Sequence, residues 1–143
     1  MAGYRPADLS AEQQAVVDAY QRYWDFRARS FGDAKVDPSE AGKVAEAGAI
    51  VDMQRYVAQQ QQKGTRTVGQ STTNVLSVTV SGTAATLKDC FDDQSADVST
   101  ATGKPVETPA GKIEFTTKLE QSGGSWLVTR SSKTAPTCTV PSG

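Results

Sequence analysis

The period of the hydrophobic pattern changes once along the chain, at Gly64. Before this residue, apolar side chains recur at steps of three and four residues, which is typical of amphipathic helices. After it, apolar and polar residues alternate, and Thr, Val and Ser become frequent, as they are in β-strands. Helices followed by strands within 143 residues predict one α+β domain, in which N-terminal helices pack on a curved antiparallel sheet of about four strands.

Two start signals locate the helices. The capping-box pattern Ser10-Ala11-Glu12-Gln13 predicts a first helix, which Gly32 is placed to end at the C′ position. Its apolar stripe is rich in aromatic residues: Val16, Val17, Tyr20, Tyr23, Trp24, Ala28 and Phe31. The second signal, Asp37-Pro38-Ser39-Glu40, predicts a short helix near residues 38–46, followed by another near 49–63.

The second half of the chain contains alternating runs separated by turn residues. The predicted strands cover residues 76–80, 87–91, 113–119 and 126–130. Residues 94–111 are rich in Gly and Pro, so we expect a long exposed loop there. The whole pattern predicts a single domain over residues 10–138, with flexible ends at 1–9 and 139–143.

Composition argues against several classes of function. Histidine is absent, which removes the commonest general base and the usual zinc and haem ligand. The formal net charge is -1, with no long run of either sign, so nucleic acid is not an expected partner. Asp92, Asp93 and Asp97 do not have the spacing of a calcium loop and are interpreted as a solvated strand end. No metal or other cofactor is predicted.

The two cysteines constrain the environment of the protein. Cys90 lies in a strand-like run and Cys138 in a Pro- and Thr-rich tail, so a bridge would tie the tail to the sheet. The alternative is two buried, unpaired thiols. A disulfide favours an extracytoplasmic location, secreted or anchored at the cell surface. No apolar run is long enough for a signal peptide or a membrane span, so we expect a leader, with or without a lipid anchor, to have been removed.

The element order and three local sequences carry a family resemblance. These sequences are Tyr20-Gln21-Arg22-Tyr23-Trp24 in the first helix, Asp89-Cys90 in a strand, and Gly124-Ser125-Trp126-Leu127-Val128 in the last strand. With the helices first, they make the chain resemble the nuclear transport factor 2-like superfamily, whose fold is a cone. The chain is especially similar to small exported or lipid-anchored actinobacterial members. This superfamily contains many non-catalytic binding modules and some isomerases and cyclases, so the resemblance implies one of these roles. It also implies dimerisation through the sheet face, which is a habit of the superfamily.

Asp89 is the best candidate for chemistry. It shares a strand face with Leu87 and Phe91, so a carboxyl group is expected in apolar surroundings, where its pKa would rise and it could act as a base. The alternative is a structural Asp bonded to Arg130 or to a backbone amide, or one that faces water at the mouth of the cone. The candidate residues for lining a ligand cavity are Tyr20, Tyr23, Trp24, Asp89, Phe91 and Arg130.

These observations favour a non-catalytic extracytoplasmic domain that binds a protein partner or serves in an envelope or secretion assembly. The alternative hypothesis is a small-molecule binding protein, or an isomerase- or cyclase-like enzyme, that uses the cone cavity with Asp89 as its base. A homodimer through the sheet face is a further hypothesis. The strand faces that carry Thr73, Ser77 and Thr79 are more polar than an obligate interface usually is, which favours a monomer or a weak dimer.

Overall fold

The computed structural model of the chain describes residues 1–142, and its elements follow the predicted order. The helices are α1 (Ala11–Asp33), α2 (Pro38–Ala41) and α3 (Ala47–Lys63). The strands are β1 (Thr65–Val68), β2 (Val75–Ser81), β3 (Ala84–Asp93), β4 (Ala96–Ser99), β5 (Gly111–Ser122) and β6 (Ser125–Ala135). Strands β2, β3, β5 and β6 form, in that order, a four-stranded antiparallel sheet. The predicted α+β fold with about four strands is therefore confirmed.

Helix α1 begins where the capping box predicts. The backbone N–H of Gln13 donates to Ser10 Oγ at 3.1 Å, and Ser10 N–H donates to Gln13 Oε1 at 2.8 Å. The prediction that Gly32 ends the helix is wrong, because Ala34 occupies the left-handed position, with φ 52°. Gln61 of α3 donates to the Ala34 carbonyl at 2.9 Å, so a tertiary contact helps to determine the end of α1.

The second helical region is shorter than predicted. Helix α2 stops at Ala41, and the chain then turns, so the helix expected to reach residue 46 covers only its first turn. Ala45 instead pairs with Val128 of β6, and Val128 N–H donates to the Val44 carbonyl at 3.0 Å. Pairing with a strand more than eighty residues away in sequence competes with local helix formation here, which the local pattern does not show.

The predicted loop at 94–111 is only partly a loop. It contains β4, which pairs with β1 in an antiparallel two-stranded sheet, with Thr65 opposite Ser99 and Val68 opposite Ala96. Both strands have four residues and many polar side chains. They lack the alternation that signals a strand, and their pairing depends on contacts that are distant in sequence.

The core lies between the helices and one face of the four-stranded sheet. Helix α1 contacts β6, β1 and β2, and α3 contacts β6, α1 and β1. Irregularities in the pairing of β5 with β6 follow Glu114 and Lys118, and such bulges bend a sheet around the elements packed on it. The largest fully buried apolar side chains come from every layer: Tyr20, Tyr23, Met53, Leu87, Leu119, Val16 and Val128.

The disulfide between Cys90 and Cys138 is present, as predicted. Cys90 points away from Asp89 and Phe91, since successive strand residues face opposite sides of a sheet. It is nevertheless fully buried, and the bridge holds the C-terminal tail at this position. Of the predicted flexible C-terminus, residue 143 lies outside the described residues, and the mobility of 139–142 stays a prediction.

The N-terminal segment, predicted to be flexible over residues 1–9, is hydrogen-bonded to the body of the domain. Gly3 N–H donates to the Thr73 carbonyl, and Val75 N–H donates to the Tyr4 carbonyl, both at 2.8 Å. Tyr4 N–H also donates to the side chain of Asn74 at 2.9 Å. The segment therefore lies against residues 73–75, next to the buried end of β2.

We expect the disulfide to contribute about 2–4 kcal/mol to the free energy of unfolding, because the bridge closes a long loop in the unfolded chain. Urea unfolding of the wild type with and without reductant measures this contribution. A Cys90→Ala/Cys138→Ala variant is the control and should be insensitive to reductant. An unchanged midpoint in wild-type protein whose thiols are shown to be free would contradict the expectation.

The left-handed residue at the end of α1 gives a second prediction. Ala34→Gly should raise the free energy of unfolding by about 0.5–1 kcal/mol, because glycine adopts positive φ without the steric cost that Cβ imposes. Ala15→Gly, at an exposed position within the same helix, should lower it by about 1 kcal/mol. Denaturation curves of both variants test the pair, and a loss of stability in both would show that the end of the helix is not strained.

Candidate functional site

An open pocket of about 520 Å³ lies beside the C-terminal half of α1. Its walls come from α1, the ends of β3 and β5, the β1–β4 pair and the segment between β1 and β2. Its volume falls within the range of about 300–1,000 Å³ that is usual for ligand sites in proteins. This pocket is the candidate site for binding.

One wall of the pocket is aromatic. Trp24 stacks on Phe91 with 4.1 Å between ring centres, and Phe115 meets both rings edge-on. At the far end, Phe31 of α1 packs on Tyr56 of α3 with 4.3 Å between ring centres. Aromatic walls of this kind offer apolar area whose shape is already fixed before a ligand arrives.

A hydrogen-bonded polar network lines another part of the pocket. Asp97 of β4 accepts hydrogen bonds from the hydroxyl groups of Tyr56, at 2.7 Å, and Thr67, at 2.5 Å. The Thr67 hydroxyl accepts in turn from the side-chain amide of Gln60, which is buried in α3. Glu107 accepts from the backbone N–H of Asp97 at 3.0 Å. The network joins α3 to the β1–β4 pair and holds this wall in place.

Asp89 is the centre of a second, fully buried network. The Tyr20 hydroxyl donates to Asp89 Oδ2 at 2.6 Å, and the backbone N–H of Asn74 donates to Asp89 Oδ1 at 2.6 Å. The side chain of Asn74 donates to the Cys90 carbonyl at 3.0 Å. Both carboxyl oxygens of Asp89 are therefore engaged, and this residue is not part of the pocket lining.

Burial controls the protonation of this pair. Desolvation raises the pKa of Asp89 from 3.8 to about 6, and the hydrogen bonds from Tyr20 and Asn74 offset only part of that rise. Burial, and then the charge of Asp89, raise the pKa of Tyr20 well above its ordinary value. Tyr20 consequently keeps its proton and acts as a donor to the carboxylate.

The six residues predicted to line a ligand cavity lie in different parts of the structure. Trp24 and Phe91 line the pocket, whereas Tyr20 and Asp89 form the buried pair behind it. Tyr23 is buried and accepts a hydrogen bond from Arg27. Arg130 is exposed, and it pairs with Lys118 in the register of β5 and β6 rather than with Asp89. A catalytic role for Asp89 stays a prediction. Its observed partners are the Tyr20 hydroxyl and a backbone amide, and the structural alternative named only the amide.

Arg27, Tyr56 and Asp97 were not candidates for the cavity, yet they line it. Arg27 and Phe31 follow Trp24 at three and seven residues along α1, and that spacing does place them on one face of the helix. Tyr56 and Asp97 reach the pocket through the unpredicted pairing of β1 with β4. No local signal links those two residues.

The acidic side chains at the end of β3 have internal partners. Asp93 accepts hydrogen bonds from Ser71 and Ser95, and Asp92 accepts one from Gln94. Across residues 1–142, no group of three or more carboxylate or thiol side chains lies close enough together to hold a metal ion. None of the helices in the described part of the chain has the length and apolar character that a membrane span requires.

Comparison with solved structures identifies the fold. The intermembrane-space region of the chloroplast protein ARC6 matches with a TM-score of 0.69 and 17% identity over 89% of this chain and 99% of that chain. An NTF-2-like protein of unknown function from Shewanella oneidensis MR-1 matches with a TM-score of 0.51 and 11% identity, over 82% of this chain and 97% of that chain. No family model and no curated protein matches the sequence. The chain thus has a nuclear transport factor 2-like structural neighbour, and at these identities the likeness concerns the fold.

Asp89 should make the protein less stable as pH rises, which is the opposite of the effect of a carboxyl group whose pKa is lowered by folding. Because its pKa is higher in the folded protein than in the unfolded chain, the unfolded state loses this proton first as pH rises. The free energy of unfolding of the wild type, relative to Asp89→Asn, should therefore fall by about 2–3 kcal/mol between roughly pH 4 and pH 6 and then level off.

Urea unfolding of both proteins from pH 3.5 to 7.5 measures this difference. Asp52→Asn removes an exposed carboxylate of α3 and should give a curve parallel to the wild type. Parallel curves for wild type and Asp89→Asn would show that burial does not raise the pKa of Asp89.

Proposed function

We propose that this protein is a non-catalytic binding domain of an extracytoplasmic, oxidising compartment, and that its aromatic pocket holds part of a partner protein. The observation that carries the proposal is the separation between the pocket and the buried Tyr20–Asp89 pair. The pocket offers apolar surface beside α1, while the carboxyl group with the raised pKa is bonded internally and does not line the pocket.

The polar groups of the pocket support binding rather than chemistry. The carboxylates of Asp93 and Asp97 accept hydrogen bonds that hold neighbouring segments, and Glu107 accepts one from the backbone. A general base must reach a substrate proton within hydrogen-bond distance. Asp89 would have to give up Tyr20 or Asn74 before it could do so. Its role as a base therefore has less support than a role in holding the fold.

The compartment is inferred from the disulfide and from the neighbouring structure. Disulfides persist in oxidising compartments, and Cys90 and Cys138 form a disulfide with each other. The intermembrane-space region of the chloroplast protein ARC6, a structural neighbour, supports the same kind of location. Secretion, a lipid anchor and an actinobacterial origin stay predictions.

A small molecule is the second candidate occupant. The pocket volume of about 520 Å³ and the stacked Trp24 and Phe91 favour it, because small-molecule sites are usually concave and aromatic. A protein partner agrees better with the open edge of the pocket, here called the rim. There charged side chains such as Asp25 and Arg29 are exposed around the aromatic wall. A fragment screen monitored at the Trp24 indole signal distinguishes the two occupants.

The outer face of the sheet is the rival surface for a partner or for a second copy of the chain. Many of the residues that alternate with the core face are polar or charged, including Thr79, Lys88, Lys118 and Arg130. Stable dimer interfaces are usually more apolar than this. Dimerisation through the sheet face stays a prediction, and the pocket is the better supported site.

The proposal can be tested by filling the pocket. Peptides selected from a displayed random library on the oxidised domain should bind Ala28→Trp at least about tenfold more weakly than wild type, because an indole at the pocket mouth removes the apolar area that a ligand buries. Titration calorimetry or an NMR titration gives the two affinities.

Ala15→Trp is the matched control. Ala15 is exposed on the same helix but does not line the pocket, so this variant should bind like the wild type. Selected peptides that bind Ala28→Trp and wild type equally would place the binding surface elsewhere and overturn the proposal.

A further inference from the structure

The charges around the pocket are unbalanced. Its lining contains four carboxylates, on Asp25, Asp93, Asp97 and Glu107, and three cationic groups, the guanidinium groups of Arg27 and Arg29 and the N-terminal ammonium of Met1. None of these groups forms a salt bridge within residues 1–142. The carboxylates therefore keep their negative charge uncompensated by a direct partner, and carboxylates gathered in a concave site attract a cation.

The carboxylates are held in position rather than free to turn. Both oxygens of Asp97 accept from neutral hydroxyl groups, and Asp93 accepts from Ser71 and Ser95. Neutral donors fix the direction of a carboxylate without removing its charge. The charge of Asp97 also contributes, after burial, to raising the pKa of Tyr56. The positions of Asp93 and Asp97 are thus fixed before any ligand binds.

The aromatic wall already carries a cation from the chain itself. The guanidinium carbon of Arg27 lies 4.9 Å from the ring centre of Trp24 and 4.7 Å from that of Phe31. These distances are within the range of about 6 Å over which an aromatic face attracts a cation. Arg27 makes one side-chain hydrogen bond, to the Tyr23 hydroxyl at 3.2 Å, and that acceptor is neutral. The aromatic rings therefore hold the guanidinium group of Arg27 although no carboxylate pairs with it.

We infer that the pocket receives a basic side chain, an arginine or lysine flanked by apolar residues, from a partner polypeptide. This inference rests on the proposed function and names the chemistry of the occupant. The apolar stem of such a side chain would pack on Trp24 and Phe91, and its charged end would lie among the rim carboxylates. Arg27 competes with the incoming cation for the same aromatic faces.

Capped peptides of one length and three sequences test the inference. The first has an arginine between leucines, the second has citrulline, its neutral isostere, in that place, and the third has glutamate. In NMR titrations at low salt, the arginine peptide should bind about fivefold more tightly than the citrulline peptide, and the glutamate peptide should bind most weakly. The Trp24 indole signal should shift in each complex.

Variants of the domain assign the preference to the rim. Asp25→Asn/Glu107→Gln keeps the hydrogen-bond acceptors and should weaken binding of the arginine peptide about fivefold, with the citrulline peptide unaffected. Asp52→Asn/Glu120→Gln changes the net charge equally, away from the pocket, and should have little effect. Arg27→Gln should strengthen binding of the arginine peptide, whereas Arg22→Gln, also on α1, should leave it unchanged.

Each contrary result has a distinct meaning. Equal affinity for the arginine and citrulline peptides would overturn the charge preference and leave binding in the pocket intact. Loss of binding in Arg27→Gln, with the glutamate peptide preferred, would show an anion site and overturn the inference. N-acetylarginine amide binding as tightly as the peptide would show that the occupant is a small cation. No shift at Trp24 with any probe would overturn the proposed function as well.

Discussion

The buried hydrogen bond from Tyr20 to Asp89 sets the position of α1 on the sheet. A carboxyl group in the middle of β3 requires donors when water is excluded, and Tyr20 and the Asn74 amide supply them. Trp24 lies one helical turn beyond Tyr20, and Phe91 lies two residues beyond Asp89 on the same strand face, so the Trp24–Phe91 stack repeats the contact further along. The Tyr20–Asp89 and Trp24–Phe91 contacts together align α1 with β3. The pocket begins at the second of them, since Trp24 and Phe91 line it.

This arrangement separates the titrating group from the candidate pocket. The raised pKa of Asp89 follows from its burial, the condition that also removes it from the pocket. A strongly perturbed carboxyl group beside a cavity often indicates catalysis, but structural networks perturb pKa values as well. Here the hydrogen-bond geometry favours the structural explanation, since Asp89 joins α1, β3 and the segment before β2. The pocket is left with an aromatic wall and several carboxylates, which support the proposed binding role.

Three segments act as covers for the domain. The C-terminal tail reaches Cys90 through the disulfide on the face away from the helices, and the N-terminal segment pairs with residues 73–75. The β1–β4 pair closes the end of the pocket and carries Asp97 to Tyr56. Two of these three covers, the N-terminal segment and the β1–β4 pair, consist of short segments that are stable only in contact with the rest of the domain.

The order of helices and strands, the start of α1, the four long strands and the cysteine pair could be predicted from the sequence, because caps, hydrophobic periods and turn residues act over a few neighbouring positions. The stripe containing Tyr20 and Trp24, and the shared face of Asp89 and Phe91, were predictable for the same reason. The end of α1 at Ala34, the pairing of β1 with β4, and the separation of Asp89 from the pocket were decided by tertiary structure. Each depends on partners distant in the chain, whose contact energies no local pattern contains.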